Sequence, residues 1–321
     1  MEQHIEQKKS PGKMSTPKIS ICIPAYKRTL YLARLLESIS GQNYKDFEVI
    51  VTDDTPGHEV RDLCSLYKNR FVLYYFKNPL QLGTPENWNE SVRHANGEWI
   101  KMMHDDDWFA NENSLAAFVH AVKENDSPSF FYSAYTNVFE NDGRQAVYIN
   151  SFRKRMLRQN PVSLFSKNVI GPPSVTLVRN DKKIWYDNKT KWIVDIDFYI
   201  QYLRNNPSFY IDKPLINVGV HQTQVTKSAF RVPEIEIPEN FYLLSKVGYQ
   251  NLKNLLVYDA IWRLLRNLKI TSLARISAYG YHRDVPPPVK SMIAWQSKIP
   301  AEILHVGLFS KIIMFVHYLT H

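Results

Sequence analysis

The stretch Trp99-Ile-Lys-Met-Met-His-Asp-Asp-Asp-Trp-Phe109 governs how the remainder of the 321-residue chain is read. Its apolar first half predicts a buried strand. That strand runs into three adjacent carboxylates, Asp105, Asp106 and Asp107, and an aromatic pair follows. Neighbouring acids repel one another, so packing alone gives no reason to collect them at a strand end. A hard divalent cation removes the repulsion, because Mg²⁺ takes oxygen ligands, typically one or two carboxylates plus the oxygens of a substrate diphosphate. The competing reading is a solvated acidic turn that serves as a helix N-cap.

The residues upstream bear on that choice. Residues 18–25 (KISICIPA) predict a short apolar strand, and Leu32, Leu35, Leu36 and Ile39 fall at helical spacing within 28–40. A second strand over 47–52 ends at Asp53-Asp54, a helix through Val60, Leu63, Cys64 and Tyr67 follows, and a third strand covers 71–76. A turn-rich segment over 78–84 and a helix over 85–95 lead into the strand 99–103. Alternation of strand and helix at this tempo predicts a parallel sheet with right-handed crossovers. Ligands in such sheets sit beyond the carboxyl ends of the strands. Pro24-Ala25-Tyr26, Asp53-Asp54 and the triple acid all fall at such ends, which favours a binding crevice over a simple cap. A dinucleotide-binding fold would need a Gly-rich turn after the first strand. The chain has Pro24-Ala25-Tyr26-Lys27-Arg28 there, without glycine, and no Walker phosphate loop.

Downstream, the pattern predicts a helix over 115–122, an aromatic strand over 129–139 with further β structure to about Phe152, and a short helix over 161–168. A rigid Gly171-Pro-Pro-Ser174 turn precedes a strand over 175–179. An amphipathic helix over 191–203 and a strand over 209–220 then lead to His221-Gln222-Thr223. Arg153, Lys154, Arg155 and Arg158 read as a solvated basic face, the alternative being a place beside the phosphates or the acceptor.

Composition sets wider bounds. Hydrophobic residues at 44% and charged residues at 22% are ordinary for a globular protein, and the length suits one large α/β domain with an appended segment, or two small domains. Two cysteines, neither at metal-ligand spacing, point to a reducing compartment without a disulfide framework. Residues 1–17 read as a disordered polar arm with no signal peptide, and no apolar run is long enough to predict a spanning helix. The net charge of +9 is uneven: residues 240–321 hold ten Lys or Arg against three acids, +7, which leaves +2 for everything before. That segment is helical in pattern, with a broad apolar stripe over 242–270. It fits either a basic interfacial surface on an anionic membrane or a packing and oligomerisation appendage. Nucleic acid is not an expected partner, since the charge comes without a recognisable binding module.

A strand ending Pro-Ala-Tyr, a second ending Asp-Asp, a Gly97-Glu98-hydrophobic strand entering an Asp cluster, and a downstream Asp195-Ile-Asp197-Phe198 helix together resemble the inverting family 2 glycosyltransferases of the GT-A fold. The likeness spans about 18–221, and Asn78 through Gly83-Thr-Pro-Glu-Asn87-Trp-Asn89 resembles bacterial members. The resemblance implies a Rossmann-like, mostly parallel central sheet flanked by helices, with a mostly helical C-terminal extension. It implies a GT-A domain over 18–225, divided into a nucleotide-binding half (18–125) and an acceptor half (126–225), and an extension over 238–321.

The resemblance also implies roles. Tyr26 would pack on the nucleobase, Pro24 and Ala25 would present backbone, Asp54 would accept a hydrogen bond from the base, and Asp53 would support the turn. Gly83 and Asn87 would belong to the donor site, and Asp105 would lie near the ribose or diphosphate. Asp106, Asp107 and His221 would hold Mg²⁺ or Mn²⁺, and Asp195 would be the general base, with Asp197 in reserve. Two departures stand out: His104 occupies a position that is commonly Asp, and Val194 replaces the Glu that usually precedes the base. The implied activity is inverting transfer from a nucleotide sugar, most simply a UDP-sugar, to a surface glycan carried on a polyprenyl diphosphate. The implied location is cytoplasmic, peripheral on the inner face of the membrane. The alternatives are a nucleotide- or glycan-binding protein without turnover, and a nucleotidyltransferase, whose Gly-rich first loop is missing.

Overall fold

The computed structural model describes residues 18–221 and 230–320. The expected disordered arm over 1–17, the Gln222-Thr223 pair and the expected domain boundary at 225 lie outside these residues. The chain divides into two compact units. The first comprises the residues up to Lys154 together with Val169–Asn188 and Gln201–His221. The second comprises Arg155–Asn168, Lys189–Ile200 and the chain after His221.

The first unit is built on a nine-stranded sheet of order β3-β2-β1-β4-β8-β6-β9-β5, with β7 (Arg144–Val147) paired to β6. β1 (Ile19–Ala25), β2 (Phe47–Asp53), β3 (Leu73–Lys77) and β4 (Trp99–Met102) are parallel neighbours. β8 (Thr176–Arg179) runs against both β4 and β6 (Phe130–Phe139), which in turn is parallel to β9 (Ser208–Val220). β6 and β9 therefore run with the first four strands, and the sheet is mostly parallel, as the alternation of elements requires. Strands covered on both faces read as continuous apolar runs, and Ile19, Ile21, Cys22 and Ile23 of β1 are fully buried. β5 (Trp108–Phe109) pairs antiparallel with β9 and so fastens the segment after the triple acid to the far edge of the sheet.

Helices cover this sheet for reasons visible in their sequences. α1 (Thr29–Ser40) buries Leu32, Leu35, Leu36 and Ile39, the expected stripe. α2 (Glu59–Ser65) buries Val60 and Cys64, and α4 (Ser114–Glu124) buries Leu115, Phe118 and Val119. α3 (Glu86–Arg93) differs, because its buried residues are Asn87, Asn89 and Ser91. Buried amides need partners, and Asn87 Nδ2 donates to Thr52 O at 3.2 Å and Ala25 O at 3.4 Å, joining the ends of β1 and β2.

Past β7 the expected β structure gives way to α5 (Ser151–Gln159), so the basic run sits on a helix that crosses from the first unit into the second. Asn150 caps it, its Oδ1 accepting from Arg153 N at 2.8 Å. The second unit contains the 3₁₀ turn Pro161–Phe165 and most of α6 (Val194–Leu203), which begins three residues later than the amphipathic pattern. Glu239 holds the chain ahead of α6: its carboxylate accepts from the backbone N–H groups of Lys191 (2.8 Å), Trp192 (2.8 Å) and Ile193 (3.2 Å). The long stripe expected over 242–270 breaks at Gly248, whose φ is 99°, into α7 (Pro233–Val247), a 3₁₀ turn (Tyr249–Lys253) and α8 (Leu255–Asn267). A positive φ suits glycine, and Asn254 restarts the helix by accepting from Leu256 N at 2.9 Å. α9 (Leu273–Ala278), α10 (Pro287–Gln296), α11 (Ala301–His305) and α12 (Gly307–Leu319) complete the unit. No helix among the described residues is long and apolar enough to cross a membrane.

One glycine tests the register of the central strands. Gly97 N donates to Ser20 Oγ at 2.7 Å, and a Cβ at position 97 would lie 2.5 Å from Ser20 N and 2.7 Å from Ile19 C. Both are backbone atoms that cannot move without parting β1 from β4. Gly97→Ala is therefore expected to lower stability by about 1–3 kcal/mol, the usual cost of overpacking, read from the urea midpoint at unchanged slope.

Candidate active site

The triple acid follows β4 on a turn in which Asp107 N donates to His104 O at 3.1 Å. All three carboxylates are buried. Charge at this depth is tolerated only with counter-charge and hydrogen bonds, and several elements supply them. Arg28, just past β1, places one guanidinium nitrogen 2.8 Å from Asp105 Oδ1 and the other 3.0 Å from Asp106 Oδ2. His221, just past β9, brings Nε2 to 2.8 Å from Asp106 Oδ2 and stacks on Tyr31 with ring centroids 4.9 Å apart. Arg34 donates to Asp106 O at 2.8 Å while lying 3.5 Å over the Trp108 ring. Gly219 N donates to Asp107 Oδ1 at 3.1 Å, and a Cβ there would sit 2.5 Å from Asp106 O, so only glycine lets β9 approach this closely.

These environments separate the three acids. Burial, then the charge of Asp106, raises Asp105 to about 7 against the pull of Arg28. Burial would raise Asp106 as well, but the hydrogen bond from His221 and the charge of Arg28 bring it down to about 2. Burial and the neighbouring Asp106 charge push Asp107 well above the usual carboxylate range. Beneath the turn Lys101 is fully buried on β4, bonded to Ser174 O, and burial lowers its ammonium to about 7.

His104, Asp106 and Asp107 present ligand atoms all within 4.8 Å of one another. His104 Nε2 is buried and makes no hydrogen bond among the described residues, and burial lowers the imidazole to about 4, so it stands neutral with a lone pair to give. One imidazole nitrogen and two carboxylates suit a divalent cation. The residues present therefore fit the ion, with His104 taking the commonly acidic position. His221, expected as a ligand, braces Asp106 through the hydrogen bond already described.

The other expected residues, except Asp195, belong to the first unit, at the ends of β1 and β2 or, as Gly83 and Asn87 do, bonded to residues there. Tyr26 is exposed at the end of β1, with Lys27 Nζ 4.8 Å from its ring centre, while Pro24 is half-buried and Ala25 buried. Asp53 Oδ1 accepts from Thr55 N at 2.7 Å, and its Oδ2 meets Tyr75 Oη at 2.7 Å and Lys77 Nζ at 3.3 Å. Asp54 accepts from Asn78 Nδ2 (2.7 Å), Leu82 N (3.0 Å) and Gly83 N (2.7 Å), so its carboxylate holds the 78–83 loop against the ends of β1 and β2. Gly83 itself has φ 71° and nothing within 4 Å of a Cβ. Asn87 completes this group through Asn78 Nδ2, 2.9 Å from its Oδ1.

Asp195 belongs to the second unit, in the first turn of α6. Its Oδ2 accepts from Asn168 Nδ2 at 2.6 Å and its Oδ1 from Ile196 N at 2.9 Å, and burial raises it to about 6. Asp197 is fully buried and its Oδ2 lies 2.7 Å from Lys246 Nζ. Sequence reasoning did not single out Arg28, Tyr31 or Arg34. The signal was present in α1, where the buried set 32, 35, 36 and 39 leaves 31, 34 and 38 as a separate i, i+3, i+7 row. Ser38 Oγ in that row accepts from Phe109 N at 3.2 Å.

The family model for glycosyl transferase family 2 matches residues 20–184, more than half of the chain. The chain belongs to this family. It is similar to the GalNAc(5)-diNAcBac-PP-undecaprenol β-1,3-glucosyltransferase of Campylobacter jejuni, 32% identical over 93 residues, which are 28% of this chain and 30% of that one. Among solved structures it is similar to S. aureus TarS 1–349 in complex with UDP-GlcNAc, with TM-score 0.56 and 17% identity over 82% of this chain and 83% of that one. It is also similar to the mannosyltransferase PcManGT from Pyrobaculum calidifontis in complex with GDP-Man and Mn²⁺, with TM-score 0.52 and 14% identity over 97% and 87%. At these identities the two structures speak to the fold, which is GT-A. The glycosyltransferase is thus an enzyme that draws on a nucleotide sugar, and inversion is typical of its family.

Arg28 is the counter-charge shared by two buried acids of this glycosyltransferase. Arg28→Ala is expected to cost about 1–3 kcal/mol, the penalty for buried charge left unpaired, measured by chemical denaturation without metal. Added Mn²⁺ should recover part of that loss. No change in midpoint would show that the guanidinium does not hold the turn.

Proposed function

We propose that this glycosyltransferase moves a sugar from a UDP-sugar to a hydroxyl of a polyprenyl-diphosphate-linked glycan, with inversion at the anomeric carbon. Mg²⁺ or Mn²⁺ would be held by His104, Asp106 and Asp107. The observation that carries the reading is the buried, unpartnered His104 Nε2 beside those two carboxylates. The cation, when bound, neutralises charge on the leaving nucleoside diphosphate.

This chain's own residues do the remaining work. The exposed Tyr26 ring offers a stacking face for uracil, and the backbone of Pro24 and Ala25 borders it. Asp54, supported by Asp53 and Asn87, fixes the loop that ends at Gly83, so the base meets a preset edge. Asp105, kept in place by Arg28, faces the ribose or diphosphate, and His221 keeps Asp106 ionised. Asp195 takes the proton of the acceptor hydroxyl as its oxygen bonds to the anomeric carbon. The bond from that carbon to the phosphate oxygen breaks, and the electron pair leaves with the diphosphate. An aspartate raised by burial to about 6 suits a base working near neutral pH. Support for the acceptor comes from the C. jejuni relative, whose name carries a PP-undecaprenol-linked glycan. Such an acceptor places the enzyme on the cytoplasmic face of the membrane, bound peripherally.

Thermal denaturation with Mn²⁺ and a panel of nucleotide sugars tests the donor. A UDP-sugar at 100 times its Kd should stabilise the protein by about 2.7 kcal/mol, and a panel in which only other nucleotides shift Tm would reject uridine.

Asp195 is tested by its pH limb. The base must be ionised, so kcat/KM should rise with pH through about 6 and level off above. Asn168 donates to the charged form, so Asn168→Ala should move that limb upward. Asp195→Asn should lose transfer about 10²–10⁴-fold while keeping donor affinity, and full transfer by this variant rules Asp195 out.

A further inference from the structure

Helix α12 turns the polar Ser310 and His317 inward and most of its apolar side chains outward. Ser310, Met314 and His317 form its buried face. Ser310 Oγ accepts from Trp262 Nε1 at 3.1 Å and Arg266 at 2.9 Å, while the His317 ring meets the Tyr258 hydroxyl and, at 2.9 Å, Ser291 Oγ. Buried polar groups with these partners fix which side of the helix faces in. The opposite side shows Leu308, Phe309, Ile312, Phe315, Val316 and Leu319, each 45–68% exposed. Positions 308, 312, 315, 316 and 319 are spaced i, i+4, i+7, i+8 and i+11, which is one continuous stripe. A patch of this kind on a soluble protein marks an interaction surface.

The charge of the segment favours an anionic partner for it. The segment 240–321 carries +7. Lys246, Arg263 and Lys290 are paired with Asp197, Asp259 and Asp284. Lys253, Lys269, Arg283, Lys298 and Lys311 are exposed, with no carboxylate at ion-pair distance among the described residues. Lys311 stands at the edge of the stripe itself. A second copy would bring two +7 segments together, and juxtaposed like charge opposes association. An anionic bilayer offers an acyl boundary for the stripe and phosphates for Lys311 at its edge. Thirteen residues at 1.5 Å each span only about 20 Å, against a hydrocarbon core of about 30 Å. The helix is therefore long enough to lie in the interface and too short to cross it.

We propose that α12 lies in the headgroup region of an anionic lipid bilayer, stripe toward the acyl chains and Lys311 toward the phosphates. The contact deepens the lipid-linked acceptor reading and rests on it for its purpose. Co-sedimentation of the full chain with phosphatidylcholine vesicles, with and without phosphatidylglycerol, tests it. Wild type should pellet with the anionic vesicles, and less so as salt rises. The triple variant Phe309→Glu, Ile312→Glu, Phe315→Glu should bind at least about tenfold more weakly, with an unchanged far-UV CD spectrum because these side chains are exposed. Lys311→Glu alone should weaken binding in the same direction. Wild type left in the supernatant, or equal pelleting of the triple variant, overturns the proposal. So does a wild-type dimer in gel filtration that the triple variant dissolves, since a second copy would then cover the stripe. Transfer to a water-soluble acceptor separates the two readings. Vesicle binding without transfer to any acceptor upholds the contact and defeats the acceptor assignment, whereas intact transfer without vesicle binding defeats the contact alone.

Discussion

Three carboxylates buried in one turn must be held against their own repulsion, and the first unit is arranged around that requirement. The effective cost of burying a charge is several kcal/mol, so no single partner suffices. Arg28 arrives from the end of β1, Arg34 from α1, Gly219 N and His221 from β9, and Lys101 from below on β4. Apart from Lys101, on the strand that leads into the turn, they come from two distant stretches, the end of β1 with α1 and the end of β9, which can reach the turn only if the strand order places them alongside. The antiparallel strand β8 matters for the same reason, because its approach through Ser174 brings a carbonyl to Lys101 and a hydroxyl to His104 N. The fold and the electrostatics of the acids are one problem solved once.

The result is three acids pulled in opposite directions. Asp106 stays ionised because an imidazole and a guanidinium both meet one of its oxygens, while Asp105 and Asp107 are drawn toward the protonated form by burial and by their charged neighbour. That unevenness suits a site in which one carboxylate ligates steadily and others answer to added positive charge. In the second unit Glu239 performs a comparable service for the chain ahead of Asp195. One carboxylate gathers three successive backbone N–H groups and so sets where α6 begins.

Much of the structure over 18–125 was legible because its signals are local. Apolar runs of strand length, helical spacing in 32, 35, 36 and 39, and polar residues at strand ends each depend only on neighbours along the chain. The same locality explains what went unread. Arg28 looks like any exposed arginine after a strand until the acid turn, more than seventy residues later, is set beside it. α3 defied the apolar pattern because its buried face is amide, satisfied by carbonyls of β1 and β2 that no window of sequence contains. The break at Gly248 and the start of α5 at Asn150 did carry local signals, a glycine at positive φ and an Asx cap, that apolar periodicity outweighed.

The sequence by itself determined the parallel sheet, the strand ends at which chemistry gathers, the acidic turn, and the basic, helical character of the final quarter. These follow from periodicity and residue type, which act over a few positions. Only the tertiary structure decided that His104 lies beside Asp106 and Asp107 with His221 bonded to Asp106, that Arg28 bridges two of the acids, and that the last helix turns a stripe of apolar side chains outward. Those outcomes rest on hydrogen bonds and ion pairs between residues far apart in the chain, and such partners exist only once the chain has folded.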